Sequence, residues 1–312
     1  MTQLITQLLK GESAALARLI TLVENNSPTV PEVMKAIHKH TGTAHIIGVT
    51  GTMGTGKSTL IGAVTRAYRK RDKTVGIVGI DPTSCFSGGA LLGDRIRMQD
   101  LATDPGVFIR SMGTRGVLGG LTSSIYDVVE LLDASGKDIV IVETVGVGQS
   151  EIDIAKMADT TIVVTVPGLG DSIQTMKAGI TEIADIFVVN KADQPGADET
   201  VLQLQQMLCM NHLDEWQIPV IPLSSIKGTG ISEVINAINN HMDFLTETNH
   251  LRKRRRTRYE SELLALIKKK VMHFVLDESR LQGTIESMVD TISRKEMDPH
   301  SAAEKILKGI LA

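Results

Sequence analysis

The chain has 312 residues, of which 42% are apolar and 22% charged, with a formal net charge of −3. That balance suits a folded globular protein of one large domain with appendages, or of two domains, and it excludes wholesale disorder and a generally basic nucleic-acid binder. Aromatic residues, at 3% with a single tryptophan, leave few platforms for stacking bases, and the two cysteines, Cys85 and Cys209, make neither a disulfide framework nor a four-cysteine zinc site.

The start, Met1-Thr-Gln-Leu-Ile, lacks the basic stretch and apolar core of a signal peptide, and no segment approaches about 18 consecutive apolar residues. A cytoplasmic protein that neither spans a membrane nor binds nucleic acid is expected. Residues 1–44 read as a helical extension. Leu16, Leu19, Ile20 and Val23 recur at helical spacing within 14–23, Asn25-Asn26-Ser27-Pro28 closes that helix, and 31–40 reads as the next one. From residue 45 to 247 short β-rich runs alternate with helical stretches. The strands are expected at 46–50, 75–80, 107–109, 139–142, 161–166, 186–190 and 219–223, and the helices at 58–69, 123–132, 172–183, 201–208 and 231–244. Most of the strand runs are continuously apolar, as when both faces of a sheet are covered. The alternation predicts an α/β fold with a doubly wound, mainly parallel sheet of about seven strands, and ligands beyond the carboxyl ends of those strands. Past residue 248 the strands stop. A basic run, Arg252-Lys-Arg-Arg-Arg256 with Arg258, precedes amphipathic helices whose apolar faces need a partner surface. The run reads as a solvated hinge before a C-terminal helical arm, 248–312.

The strand at 46–50 leads into Gly51-Thr52-Met53-Gly54-Thr55-Gly56-Lys57-Ser58, a G-x-x-x-x-G-K-S sequence that opens a helix. Its glycines let backbone N–H groups face phosphate oxygens, and the helix adds its positive end. Lys57 is expected to neutralise β- and γ-phosphate charge and Ser58 to bind Mg²⁺, with Thr59 completing the phosphate-binding stretch. Asn190-Lys191-Ala192-Asp193 ends a later strand. A carboxylate at Asp193 accepts from both N1–H and the exocyclic amine of guanine, which adenine does not offer. Asn190 is expected to bridge the base side to the phosphate loop, and the Lys191 stem to cover a base face. Ser224, Ser225 and Ile226 end the next strand, where their amides can reach guanine O6. GTP and GDP are therefore the expected nucleotides. Asp81 and Glu143 end neighbouring strands and, with Asp94, supply hard oxygen ligands for Mg²⁺. Lys57, Asp81 and Glu143 form the expected catalytic set. Glu143-Thr-Val-Gly146 stands where a γ-phosphate-sensing turn belongs, and Gly88-Gly89 and Gly168–Asp171 are two further candidate switches. Gln149 and Glu151 are candidates for orienting the attacking water. Cys85 reads as a plain thiol, and His38 and His40 carry no metal motif.

Together with Asp81-Pro-Thr-Ser84, residues 88–98, Arg110-Ser-Met112, Thr114-Arg-Gly116, Gly119-Gly120, Glu143 through Glu151 and Gly170-Asp171, these features resemble one family over nearly the whole chain. It is the methylmalonyl-CoA mutase-associated GTPases of the MeaB type, some of which are labelled arginine/ornithine transport-system kinases. Met53 stands where the family usually has proline, and Trp216 is the lone tryptophan where the family carries several in its C-terminal part. The resemblance implies a homodimeric P-loop GTPase whose C-terminal arm dimerises. It implies that the protein gates adenosylcobalamin delivery to a cobalamin-dependent acyl-CoA mutase and protects that mutase, with the cobalamin adenosyltransferase as a further partner. It assigns magnesium roles to Ser58, Asp81, Asp94 and Glu143, and switch roles to Gly146, Gln149, Asp171 and Lys177. The competing readings are a nickel-insertion GTPase, which needs Cys/His clusters, a transport-system kinase, which would ordinarily prefer ATP, and a nucleotide-dependent scaffold without turnover.

Overall fold

The computed structural model describes residues 1–81, 98, 100–113, 123–144, 149–168, 182–209, 215–277 and 279–311. Asp94, Gly146, Asp171, Lys177 and Cys85 lie outside these residues, as does nearly all of the helix expected at 172–183. The side chains of Asp81 and Gln149 are likewise not described. The chain divides into two compact units, Met1–Tyr259 and Glu260–Ala312.

The first unit is built on seven strands: β1 His45–Thr50, β2 Val75–Asp81, β3 Val107–Gly113, β4 Ile139–Glu143, β5 Thr160–Thr165, β6 Ile186–Val189 and β7 Val220–Pro222. They form one sheet in the order β3-β2-β4-β1-β5-β6-β7, and every pairing is parallel. Consecutive residues face opposite sides of a strand. Ile46, Val78, Val140 and Val142 accordingly enter one apolar layer, and Ile47, Val49, Ile77 and Ile141 enter the other. The order reverses at β1, so the loop leaving β1 opens at the switch point of the sheet. β3 continues past the expected 109 to Gly113. As an edge strand paired only with β2, it tolerates the half-buried Arg110 and Ser111 that interrupt its apolar run.

On one face lie the helices α1 Thr2–Leu9, α2 Ser13–Glu24 and α3 Val30–Ile37, which pack with α5 Ser123–Ala134 and α6 Gln149–Met157. Leu16, Leu19, Ile20 and Val23 of α2 are all buried, as their spacing requires. Asn26 stops that helix by taking φ +49°, which lets the Ser27 and Asn26 amides bond back to Leu22 and Val23 carbonyls. The second face carries α4 Lys57–Arg69 and α8 Ile231–Glu247. Leu60, Ile61 and Val64 of α4 and Val234, Ile235 and Ile238 of α8 fill its core. Helix α7 Ala197–Cys209 covers β6 through Leu204.

The basic run is not a solvated hinge. It lies inside one helix, α9 His250–Asp277, and three of its guanidiniums are tied to buried carboxylates. Arg254 reaches Asp185 at 2.6 and 2.7 Å. Arg255 reaches Asp159 at 3.1 and 3.2 Å, and Arg258 meets Asp159 at 3.5 Å. Asp159 also accepts the Ile46 amide and Asp185 the Thr161 amide, so the helix is fastened to the starts of β1 and β5. The second unit takes the rest of α9, then α10 Ser279–Ser293 and α11 Pro299–Leu311, which Asp298 caps through the amides of His300 and Ser301. Among the described residues no helix is long and apolar enough to cross a membrane.

Candidate functional site

β1 delivers the chain to the phosphate loop at Gly51, which has φ +136°. A Cβ there would lie 2.1 Å from the Val164 carbonyl oxygen of β5, so only glycine passes. Gly56 has φ +86°, and its Cβ would lie 2.5 Å from Asn190 Nδ2. Its lack of a side chain thus brings the phosphate loop against the base-side residues. Lys57 opens α4. Its ammonium is buried and donates to the Gly51 carbonyl at 2.8 Å and the Thr52 carbonyl at 3.2 Å. The Thr55 hydroxyl donates to the Thr52 carbonyl at 2.9 Å, while Met53 at the loop tip is 72% exposed and Gly54 is exposed beside it. Thr59 is half-buried on α4.

Ser58 follows Lys57 and donates its hydroxyl to Glu143 Oε1 at 2.9 Å, both side chains being buried. Glu143 closes β4 opposite Gly79 of β2, and Asp81 ends β2 two positions further along. One residue past Glu143, the Thr144 hydroxyl donates to Thr50 Oγ1 at 2.8 Å and its amide to the Val49 carbonyl. That link ties the residue after β4 to the end of β1, at the root of the phosphate loop. Thr144 stands inside Glu143-Thr-Val-Gly146, and nothing in that spacing marks it out before β1 and β4 are seen side by side.

The base side forms from the ends of β6 and β7. Asn190 is buried, and its Nδ2 donates to the Thr55 carbonyl at 2.7 Å. Its Oδ1 accepts from the Ser225 amide at 3.2 Å and hydroxyl at 2.9 Å. One amide thus joins the phosphate loop and the two base-side loops. Lys191, at φ +58°, donates to the Gly54 carbonyl at 3.0 Å, which lays its stem across the gap between the loops. Asp193 is exposed. Hydrogen bonding from Ser224, then from its own backbone, and the charge of Lys227 3.6 Å away hold its carboxyl below the usual range. Ser224 is buried, and Ile226 is 89% exposed at the loop tip. Lys227 is a further residue that spacing alone did not indicate.

The structure therefore brings Gly51–Thr59, Glu143, Asn190–Asp193 and Ser224–Ile226 to one edge, beyond the carboxyl ends of parallel strands, as phosphate and base recognition on one ligand requires. The family of methylmalonyl-CoA mutase-associated GTPases typified by MeaB matches residues 16–280. The chain belongs to this family. A relative from Pyrococcus abyssi, which bears a provisional GTPase name, is 48% identical over 314 residues, covering 99% of this chain and 96% of its own length. The GTPase ArgK of Escherichia coli is 37% identical over 256 residues, 79% of this chain and 77% of its own. The mitochondrial methylmalonic aciduria type A homolog of mouse is 30% identical over 325 residues, 98% of this chain and 78% of its own. Among solved structures, one described as a LAO/AO transport system kinase superposes with a TM-score of 0.75 at 26% identity, covering 100% of this chain and 97% of that one. As a MeaB-type protein the chain is a P-loop GTPase, an enzyme that binds and hydrolyses GTP.

Proposed function

We propose that this MeaB-type GTPase is the nucleotide-driven switch and chaperone of a cobalamin-dependent acyl-CoA mutase. It binds GTP across the edge just described, hydrolyses it to GDP and inorganic phosphate, and couples that step to adenosylcobalamin delivery and protection of the mutase. The observation that carries the reading is Asn190, whose two hydrogen-bonding ends join the phosphate loop and the base loops. Recognition of the guanine by Asp193 is thereby linked to the grip of Lys57 on the phosphates.

The buried hydroxyl–carboxylate pair Ser58 and Glu143 is an oxygen-only donor set, which fits Mg²⁺, with Asp81 and Asp94 assigned to the same ion. When bound, Mg²⁺ supplies charge neutralisation on the β- and γ-phosphates. The protein's own part is to hold Lys57 at the loop mouth and to keep Glu143 on Ser58. Gly146, Gln149, Asp171 and Lys177 are the switch positions through which the mutase senses the γ-phosphate. Leu263, Leu264, Ile267, Val271 and Met272 are exposed along the second half of α9 and form the face on which two copies of the arm dimerise.

The experiment is GTP turnover titrated with a cobalamin-dependent acyl-CoA mutase. The mutase accelerates hydrolysis, and Asp171→Ala or Lys177→Ala lowers that acceleration while GTP affinity holds. Turnover indifferent to any such mutase contradicts the coupling. Phosphate transfer to a protein or arginine acceptor rather than to water would favour the kinase reading that the name of the solved relative carries.

A further inference from the structure

An acidic residue in the first turn of a helix normally sits in water, where it answers the helix dipole. Glu151, in the first turn of α6, is instead half-buried, and among the described residues its carboxylate has no hydrogen-bond or ion-pair partner. The packing of α6 on β1 fixes where it stands. The Asp159 amide that follows α6 donates to the Ile46 carbonyl at 2.8 Å, at the start of β1. Midway along β1, a Cβ on Gly48 would meet Ile154 Cγ1 at 2.6 Å and Ala158 Cβ at 3.1 Å, so the glycine lets the helix lie directly on the strand. The helix thus runs antiparallel to β1, its start toward the phosphate loop. At about 1.5 Å per helical residue, Glu151 lies about 4.5 Å beyond Ile154, level with the last residues of β1 and the beginning of the loop. Lys57, whose ammonium is held there by Gly51 and Thr52, is the charge that acts on Glu151.

We propose that Glu151 is a catalytic residue of GTP hydrolysis, the carboxylate that receives the proton of the attacking water at the mouth of the phosphate loop. The water oxygen bonds to the γ-phosphorus as the bond from that phosphorus to the β–γ bridging oxygen breaks. The electron pair of the broken bond stays with GDP. The water proton passes to Glu151 and from there to the inorganic phosphate. Burial raises the carboxyl above its ordinary range, against the pull of Lys57, and so moves it toward the pH at which it works.

This inference rests on the GTPase reading of the same site. Its test is GTP turnover and GTP binding by Glu151→Gln and Glu151→Ala, with formate added to the alanine variant as a small replacement carboxylate. The expected result is a fall in kcat of about 100-fold or more in both variants, the range for a lost acid–base group, with GTP affinity kept within about threefold. Formate is expected to restore part of the activity of the alanine variant, which a purely structural role would not allow. A glutamine variant with kcat within about threefold of the unmodified protein overturns the proposal. So does loss of GTP binding in both variants, since Glu151 then serves the pocket rather than the reaction. Unmodified protein that binds GTP and never hydrolyses it would overturn the underlying reading, and the proposal with it.

Discussion

Asp159→Asn isolates what fastens α9 to the sheet. The Asp159 side chain is 1% exposed and accepts from the Ile46 amide at 3.1 Å, from Arg255 at 3.1 and 3.2 Å and from Arg258 at 3.5 Å. Asparagine keeps the shape, removes the charge and turns one of the two acceptors into a donor facing groups that are all donors. Two guanidiniums, with side chains 16% and 8% exposed, then lose the carboxylate that balances them. Removing one member of a buried ion pair costs about 3–5 kcal/mol. At about 2–4 °C per kcal/mol in a domain of this size, the melting temperature should fall by about 10 °C. The assay is built in. Trp216, the lone tryptophan, donates to the Asp185 carbonyl at 2.9 Å and packs against His241 and Phe244, so its fluorescence follows the same end of the sheet during urea unfolding. Arg255→Met added to Asp159→Asn should recover part of the loss, because the two residues are directly coupled. A loss below about 1 kcal/mol, with no coupling to Arg255, would refute a stabilising clamp.

His45 is buried against Thr160 with its pKa lowered to about 4, chiefly by burial and secondarily offset by Asp159; His241, Arg255 and Asp185 also act on it. The unfolded histidine binds its proton near pH 6.5 and the folded one only near 4, so stability should fall as pH drops through that window, by up to about 3 kcal/mol. Urea midpoints at pH 7 and pH 4.5 check this, and a His45→Gln variant should show a smaller drop. Ser58→Ala removes the donor of the buried hydroxyl–carboxylate bond, worth about 1.5–3 kcal/mol, and Glu143→Gln removes its charge while leaving an amide oxygen that can accept from Ser58. Both should raise the Mg²⁺ concentration needed for GTP turnover by about tenfold or more, read from magnesium titrations at saturating GTP. An unchanged magnesium requirement in both would remove them from the metal site.

The sheet was legible because five of its strands, β1, β2, β4, β5 and β6, have apolar runs covered on both faces, a pattern that survives without any tertiary knowledge. Helix α6 was not. Its nine residues, QSEIDIAKM, are largely polar and bury chiefly Ile154 and Met157, too few to mark a face. The basic run misled for a different reason. Its partners, Asp159 and Asp185, stand 69 to 99 positions earlier in the chain, and composition carries no record of such pairing. At the site, the phosphate loop and Asn190-Lys-x-Asp193 could be read because fixed spacing encodes their chemistry. The links Thr144 to Thr50 and Lys227 to Asp193 had no such spacing and arise only when strand ends converge.

The central claim, a guanine nucleotide gripped between the phosphate loop and Asp193, is tested most directly by measuring GTP, ATP and xanthosine triphosphate binding to the unmodified protein and to Asp193→Asn with Mg²⁺ present. The unmodified protein should prefer GTP strongly over ATP. The variant should shift to xanthosine triphosphate, because its amide presents a donor to the xanthine oxygen. Equal binding of GTP and ATP by the unmodified protein, or GTP preference untouched in Asp193→Asn, would contradict the claim.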